Sequence, residues 1–415
     1  MGSTMRRSSG VLLLGMLGSV LACSREPDRP VATLRGVDAS GAPFELTEVG
    51  RQALTLNPVT TKRGGADRLV IELEQVAALR RQGGLKVTTV ELRSGSHVSG
   101  LAVGAVDGRG ADGPQAIDWS DVAEAELSWN RPLDAFQAPP GIWAEIHGDG
   151  IDELTLYELE VEESWIVRHG THAYRRDTKL TDVLPLTVPR EQVTGSEWDI
   201  PLSWIDRIDI YSAEIEVIVK DPGGDSFDLN GRLGSALRRY NGEATFQGTD
   251  EAGRWTISID RIQRAVRQVS AGRPGSPEAA RVVIELHGQD AAARASVSPP
   301  QAVGACTTWE GESYPVVAIW LEAMTLRSKG GSELVISPGE LQSLTVYKNP
   351  WTAYDQRQNV PQWLQAELVT RDGSRATGEL GDRFGYVSCL APEGLIVHFP
   401  SYALRSLAFG EPPGN

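Results

Sequence analysis

Residues 336–346 read Ile-Ser-Pro-Gly-Glu-Leu-Gln-Ser-Leu-Thr-Val, with apolar side chains at 336, 341, 344 and 346. A first step of five is neither strand nor helix periodicity. It fits a strand that ends at Ile336, one tight turn through Pro338 and Gly339, and a second strand that begins at once at Leu341. Proline at that place ends ladder pairing and presets the turn. The same spacing recurs at Ile71-Val76-Leu79, Ile117-Val122-Ala125-Leu127, Ile200-Ile205-Ile208-Ile210, Ile257-Ile262-Ala265 and Phe399-Leu404-Leu407-Phe409. Ile146-Ile151-Leu154-Leu156 fits as well. Self-similarity of this kind marks a repeat architecture.

Outward from each ladder, the other end of the repeat is an alternating run that stops at a glycine turn. Thr89-Val90-Glu91-Leu92 before Ser94-Gly95, Glu214 to Val219 before Asp221-Pro222-Gly223-Gly224, and Gln365 to Val369 before Asp372-Gly373 are examples. Period-two alternation is the signal of a half-buried strand. The two signals together frame modules at 31–80, 87–128, 159–211, 214–269, 281–347 and 364–409, with Val282 to Leu286 opening the fifth. The chain is therefore expected to be all-β, a tandem array of about six small antiparallel modules. Helix signals are short, the best being Ile262 to Val269 and Leu73 to Arg81. Linkers are expected at Ser24 to Pro30, Ser270 to Ala279 and Lys348 to Gln362. The fifth module is longer than the others, and much of its excess lies in Pro299 to Thr325. An inserted hairpin covering a sheet edge is one reading and a functional loop the other.

In the last module, strands are expected at Leu364–Val369, Ala376–Leu380, Gly385–Leu390, Gly394–Phe399 and Leu404–Phe409, with a turn at Pro400-Ser401-Tyr402. Five short strands with one helical turn before the last resemble an SH3-like or Sm-like small barrel; an open sandwich is the alternative. The resemblance implies a fold only, because small barrels carry many unrelated functions. One such module is marginal alone, so neighbours are expected to pack in pairs that share a core.

At the amino terminus, Arg6 and Arg7 precede an apolar run from Val11 to Ala22, which is too short to span a bilayer. The run ends in Val20-Leu21-Ala22-Cys23, which resembles the lipobox of bacterial lipoproteins. The resemblance implies a signal peptide over 1–22, lipid on Cys23, and a polar tether over 23–30 in the mature protein. It places the chain in the bacterial cell envelope, facing the periplasm or the exterior. Ser24 lacks the Asp of an inner-membrane retention signal, which favours the outer membrane.

Of 415 residues, 40% are hydrophobic and 23% charged, and the net charge is −15. Loss of Arg6 and Arg7 with the signal peptide leaves about −17. So acidic a chain lacks the clustered cations that nucleic-acid binding needs. Gly108-Arg109-Gly110-Ala111-Asp112-Gly113 matches a dinucleotide fingerprint by letter, but Pro114 to Trp119 read as a strand where that motif must open a helix. His169, His172 and Asp177 read as turn residues, and so do the acids Asp221, Asp225 and Asp228 and the group Asp149, Asp152 and Glu153. No nucleophile elbow occurs, and no cofactor motif.

Two features point to sites. With Cys23 lipidated, Cys306 and Cys389 remain as a candidate disulfide in an oxidising compartment. Among eleven tryptophans, Trp309 and Trp320 join Tyr314 in the long fifth module, and Trp351 and Trp363 flank Tyr354 in a linker. These six aromatics form a candidate ligand surface, or staple modules together. The expectation is a non-enzymatic envelope lipoprotein that binds or scaffolds a protein or envelope polymer. The alternatives are an envelope hydrolase with its site between modules five and six, and a structural spacer. Cys23→Ala should move the processed protein from the membrane fraction to the soluble one; unchanged partition of the processed chain would contradict lipidation.

Overall fold

The computed structural model describes residues 30–50, 52–58, 66–82, 86–130, 135–149, 151, 153–169, 173–188, 196–233, 243–271, 280–289, 300–321, 323–347, 364–380, 385–400 and 403–410. Cys23, the signal and nearly all of the tether lie outside them, as does the Lys348 to Gln362 linker.

Thirty of the strands fall into six consecutive sets of five. The first set is β1 (Ala32–Asp38), β2 (Pro43–Val49), β3 (Ala53–Pro58), β4 (Ala66–Glu72) and β5 (Val76–Arg81). The second is β6 (Thr88–Leu92), β7 (His97–Val103), β8 (Ala105–Gly110), β9 (Gly113–Asp118) and β10 (Val122–Trp129). The third is β11 (Trp143–Gly148), β12 (Leu154–His169), β14 (Val183–Val188), β15 (Ser196–Pro201) and β16 (Ile205–Ile210), with β13 (Ala173–Thr181) added beside β12. The fourth is β17 (Ile215–Lys220), β18 (Ser226–Leu233), β19 (Glu243–Asp250), β20 (Gly253–Ser258) and β21 (Val282–His287). The fifth is β22 (Gly304–Thr308), β23 (Ser313–Leu321), β24 (Met324–Arg327), β25 (Glu333–Ile336) and β26 (Leu341–Val346). The sixth is β27 (Leu364–Thr370), β28 (Arg375–Leu380), β29 (Gly385–Leu390), β30 (Ile396–Pro400) and β31 (Leu404–Phe409).

The ladder explains the joint between fourth and fifth strands. Its first residue closes the fourth strand and its second opens the fifth, across the 3₁₀ turns Leu73–Gln75, Trp119–Asp121, Leu202–Trp204 and Pro338–Glu340. At Trp119–Asp121 the Asp118 carboxylate accepts from the Ser120 hydroxyl and N–H, which holds its pKa below the usual range. Before Pro338 a capping box joins Ser337 and Glu340. In the fourth set the turn is replaced by the helix α1 (Ile259–Ala271), which buries Ile259, Ile262 and Val266. The ladder that begins Ile146 spans the β11–β12 hairpin instead.

No set pairs its first strand with its own fifth. β1 pairs with β10 of the next set, and β6 with β5 of the previous one, while β5 and β10 pair with each other. Likewise β2 pairs with β8 and β7 with β3. The first two sets thus interleave as β9-β8-β2-β1-β10-β5-β6-β7-β3-β4, every neighbour antiparallel. Sets three and four repeat this as β20-β19-β12-β11-β21-β16-β17-β18-β14-β15. Sets five and six repeat it again as β30-β29-β23-β22-β31-β26-β27-β28-β24-β25. The exchange needs close backbone approach at the seam of first and fifth strands. A Cβ on Gly36 would lie 2.2 Å from Glu124 O, and one on Gly304 2.3 Å from Ala408 O.

Two further pairings, β4 with β20 and β15 with β30, join the three units edge to edge. Thirty strands therefore form one hydrogen-bonded path from β9 to β25. Units one and two share one core, which includes Leu34, Ile71, Trp119, Trp204, Phe246 and Trp255. Unit three has a second core around Val316, Leu344, Leu368, Phe399 and Leu407, and Trp198 packs against both.

Some boundaries differ from the sequence reading. Val282 to Leu286, expected to open the fifth module, lies in β21 and closes the fourth set by pairing with β11 and β16. The cause is α1, whose 13 residues displace the fifth strand beyond 269. Pro299 to Thr325 accordingly holds β22 and β23, the first two strands of the fifth set, in place of an insertion. The third set begins at Trp143, ahead of 159. Leu73 to Arg81 is a 3₁₀ turn and a strand, and α1 occupies the start of the expected Ser270 to Ala279 linker.

Candidate functional site

The two seams between units have the same register. In the first, Val70, Leu69 and Arg68 of β4 face Arg254, Trp255 and Thr256 of β20. In the second, Asp199, Trp198 and Glu197 of β15 face Ile396, Val397 and His398 of β30. Counted from the ladder, each seam sets the residue one before Ile71 or Ile200 opposite the residue three before Ile257 or Phe399.

The second seam carries a buried polar row. His398 lies directly across from Ser388 on one side and Glu197 on the other, and Asp199 is two residues along β15 on the same face. Ser388 Oγ is 2.8 Å from His398 Nδ1, and His398 Nε2 is 2.8 Å from Asp199 Oδ2. The Tyr386 ring stands edge-on to the imidazole with centroids 5.6 Å apart. Serine, histidine and aspartate in relay are the parts of a hydrolase triad. Yet Ser388 is 2% exposed and His398 5%, so the hydroxyl is withheld from a substrate carbonyl while the strands stay paired. What the row does chemically is fix the orientation of the imidazole at the seam. It spans the third and sixth sets. No local motif announces it, because the partners are 10 and 199 positions apart.

Where a third seam would continue the path, neither edge is paired among the described residues: β25 pairs with β24 alone and β9 with β8 alone. Pairing alternates between inward and outward backbone groups. From the Gly110–Gly113 closing pair, Pro114 and Ala116 turn outward on β9. From the Ser328 to Ser332 hydrogen bond, Glu333 and Val335 turn outward on β25. The two edges are unlike. Pro114 has no N–H, which blunts β9 against further pairing. On β25, Val335 is 62% exposed and Leu334 45%.

The residues singled out from sequence fall in several places. Tyr314 is buried, donates to Glu312 Oε2 at 2.6 Å and lies 5.0 Å from the Phe399 ring. Trp309 is half-buried against the same core, so packing accounts for both. Trp320 is in β23, opposite Tyr386 in register. Trp351, Tyr354 and Trp363 lie outside the described residues, as does His172. His169 ends β12, and Asp221 caps its own turn by accepting from the Asp225 N–H at 2.8 Å. Gly108 to Gly113 is the β8–β9 hairpin. A second acid–imidazole cluster, Glu145, Glu285 and His287, lies on the outer surface of β11 and β21 beside Trp143. No protein-family model, curated protein or solved structure matches the chain.

The structure brings Cys306 and Cys389 together as buried thiols with Sγ atoms 2.8 Å apart. The hydrogen bond with Cys306, then burial, raise the Cys389 pKa far above its ordinary value, so it is no thiolate nucleophile at neutral pH. Protein purified from an oxidising compartment should show no free thiol on denaturation and a monomeric mass. Loop-closure entropy over 83 residues makes its loss on reduction worth about 4.5 kcal/mol. Two free thiols per chain would contradict the bond.

Proposed function

We propose that this chain is a lipid-anchored envelope protein, without catalytic activity of its own, that scaffolds a partner protein by strand addition at β25. One observation carries the reading: β25 holds the position that β4 and β15 fill in the other two units, and among the described residues its outer edge is unpaired and exposes Leu334 and Val335. An exposed edge with Val335 and Leu334 is otherwise an aggregation hazard, which proteins blunt with charge, proline or cover. The opposite end of the path is blunted by Pro114, whereas β25 has no proline and its one charge, Glu333, is paired with Arg327 of β24.

Strand addition draws affinity from main-chain hydrogen bonds and specificity from alternate side chains. The segment that fits is extended, apolar opposite Leu334 and Val335, and basic opposite Glu333. Lipid on Cys23 and the polar tether would hold the array at the membrane with β25 free to engage. Burial of Ser388 and His398 supports binding over hydrolysis.

The test is a photo-cross-linking residue at position 334 of the full-length protein in its own cells, with the same probe at 116 on β9 for comparison. A discrete adduct with one protein at 334, absent at 116, is expected. Adding Val335→Pro should abolish it, since that change removes an outward N–H while the bonds to β24 stay. No adduct at 334, or equal adducts at both positions, would overturn the proposal.

A further inference from the structure

The seam between β15 and β30 gathers two carboxylates and an imidazole on one face, and the matching seam does not. Position for position, Glu197, Asp199 and His398 stand where the first seam has Arg68, Val70 and Thr256. Backbone pairing in this register therefore does not require them. One carboxylate oxygen from Glu197, one from Asp199 and a ring nitrogen of His398 lie within 4.8 Å of one another, and it is Nε2 that faces Asp199 Oδ2 at 2.8 Å. Glu197 is fully buried, the His398 side chain is 7% exposed and that of Asp199 23%. Three side chains of metal-ligating type, from two different units, therefore converge on one point that is largely out of water.

We propose that Glu197, Asp199 and His398 bind one Zn²⁺ at the seam between the second and third units. The donor set is one nitrogen and two oxygens, as at three-ligand zinc sites, with water completing the tetrahedron. Calcium is excluded by ligand type, since it takes six to eight oxygens. On binding, any proton between Nε2 and Asp199 is released to solvent as Nε2 coordinates the metal, and the neutral ring carries its one proton on Nδ1, donated to Ser388 Oγ. That second contact is the outer-shell partner that metal-bound histidines need for orientation. The partly exposed Asp199 carboxylate is the way in. Because β15 and β30 belong to different units, the cation would clip them together, and this holds whether or not β25 binds a partner.

The test is calorimetric titration of ZnCl₂ into chelator-stripped, detergent-solubilised full-length protein. One zinc per chain and a raised Tm are expected. Glu197→Gln and His398→Asn should each abolish the binding. Ser388→Ala, which keeps all three ligands, should weaken it about 10–100-fold, and it serves even where His398→Asn fails to fold. His287→Ala, in the outer cluster, should change nothing. Binding of no zinc by the wild type, retention by a folded Glu197→Gln, or loss in His287→Ala would overturn the assignment. Cobalt substitution provides a second readout: a nitrogen–oxygen site gives visible d–d bands alone, and a sulfur-to-cobalt band would place the metal on the cysteines and reject the site.

Discussion

The pairing of fifth strands across sets, β5 with β10, β16 with β21 and β26 with β31, is the interaction on which the rest depends. A run of five short strands buries too little apolar surface to be secure alone. Each set completes its sheet with strands of its neighbour, so the smallest unit with its backbone groups satisfied is two sets, about a hundred residues. The exchange also fixes where polar backbone remains. It leaves fourth strands at the two ends of each unit, and those ends make every seam.

From that constraint the asymmetry of the whole follows. Three units joined in one register could continue indefinitely, as heterologous interfaces do unless an end is stopped. Here one end is stopped by Pro114 and the other is left with Val335 and Leu334 in water. The internal seams differ from each other too. The first pairs Leu69 with Trp255 in a shared apolar core, whereas the second carries the buried row Ser388, His398 and Glu197 between two cores. Backbone hydrogen bonds set the geometry of both, and side chains decide what each can hold.

Much of the fold was legible because the five-step of the ladder is a local consequence of strand, turn and strand. Turn, class and repeat number all come from contacts a few residues apart. The exchange was not legible, since an apolar residue such as Leu79 or Leu407 is buried whichever set supplies the neighbouring strand. The boundary at Val282 was misread because α1 lengthened a connection that is three or four residues elsewhere. The polar row left only a faint trace, two acids at 197 and 199 on one strand face where the equivalent strand has Arg68 and Val70. Recognising it required the register between β15 and β30, which joins residues 199 positions apart. The aromatic surface expected from composition drew on Tyr314, whose burial against Phe399 no spacing disclosed.

The most direct measurement of the exchange is the folding of its pieces. Residues 32–129, carrying both sets of the first unit, should show a strand-rich circular dichroism spectrum and one cooperative thermal transition. Residues 32–81 and 88–129 made separately should each be unfolded, and should regain that spectrum when mixed. A folded 32–81 on its own, or two separate transitions in 32–129, would mean that each set completes its own sheet and would contradict the account.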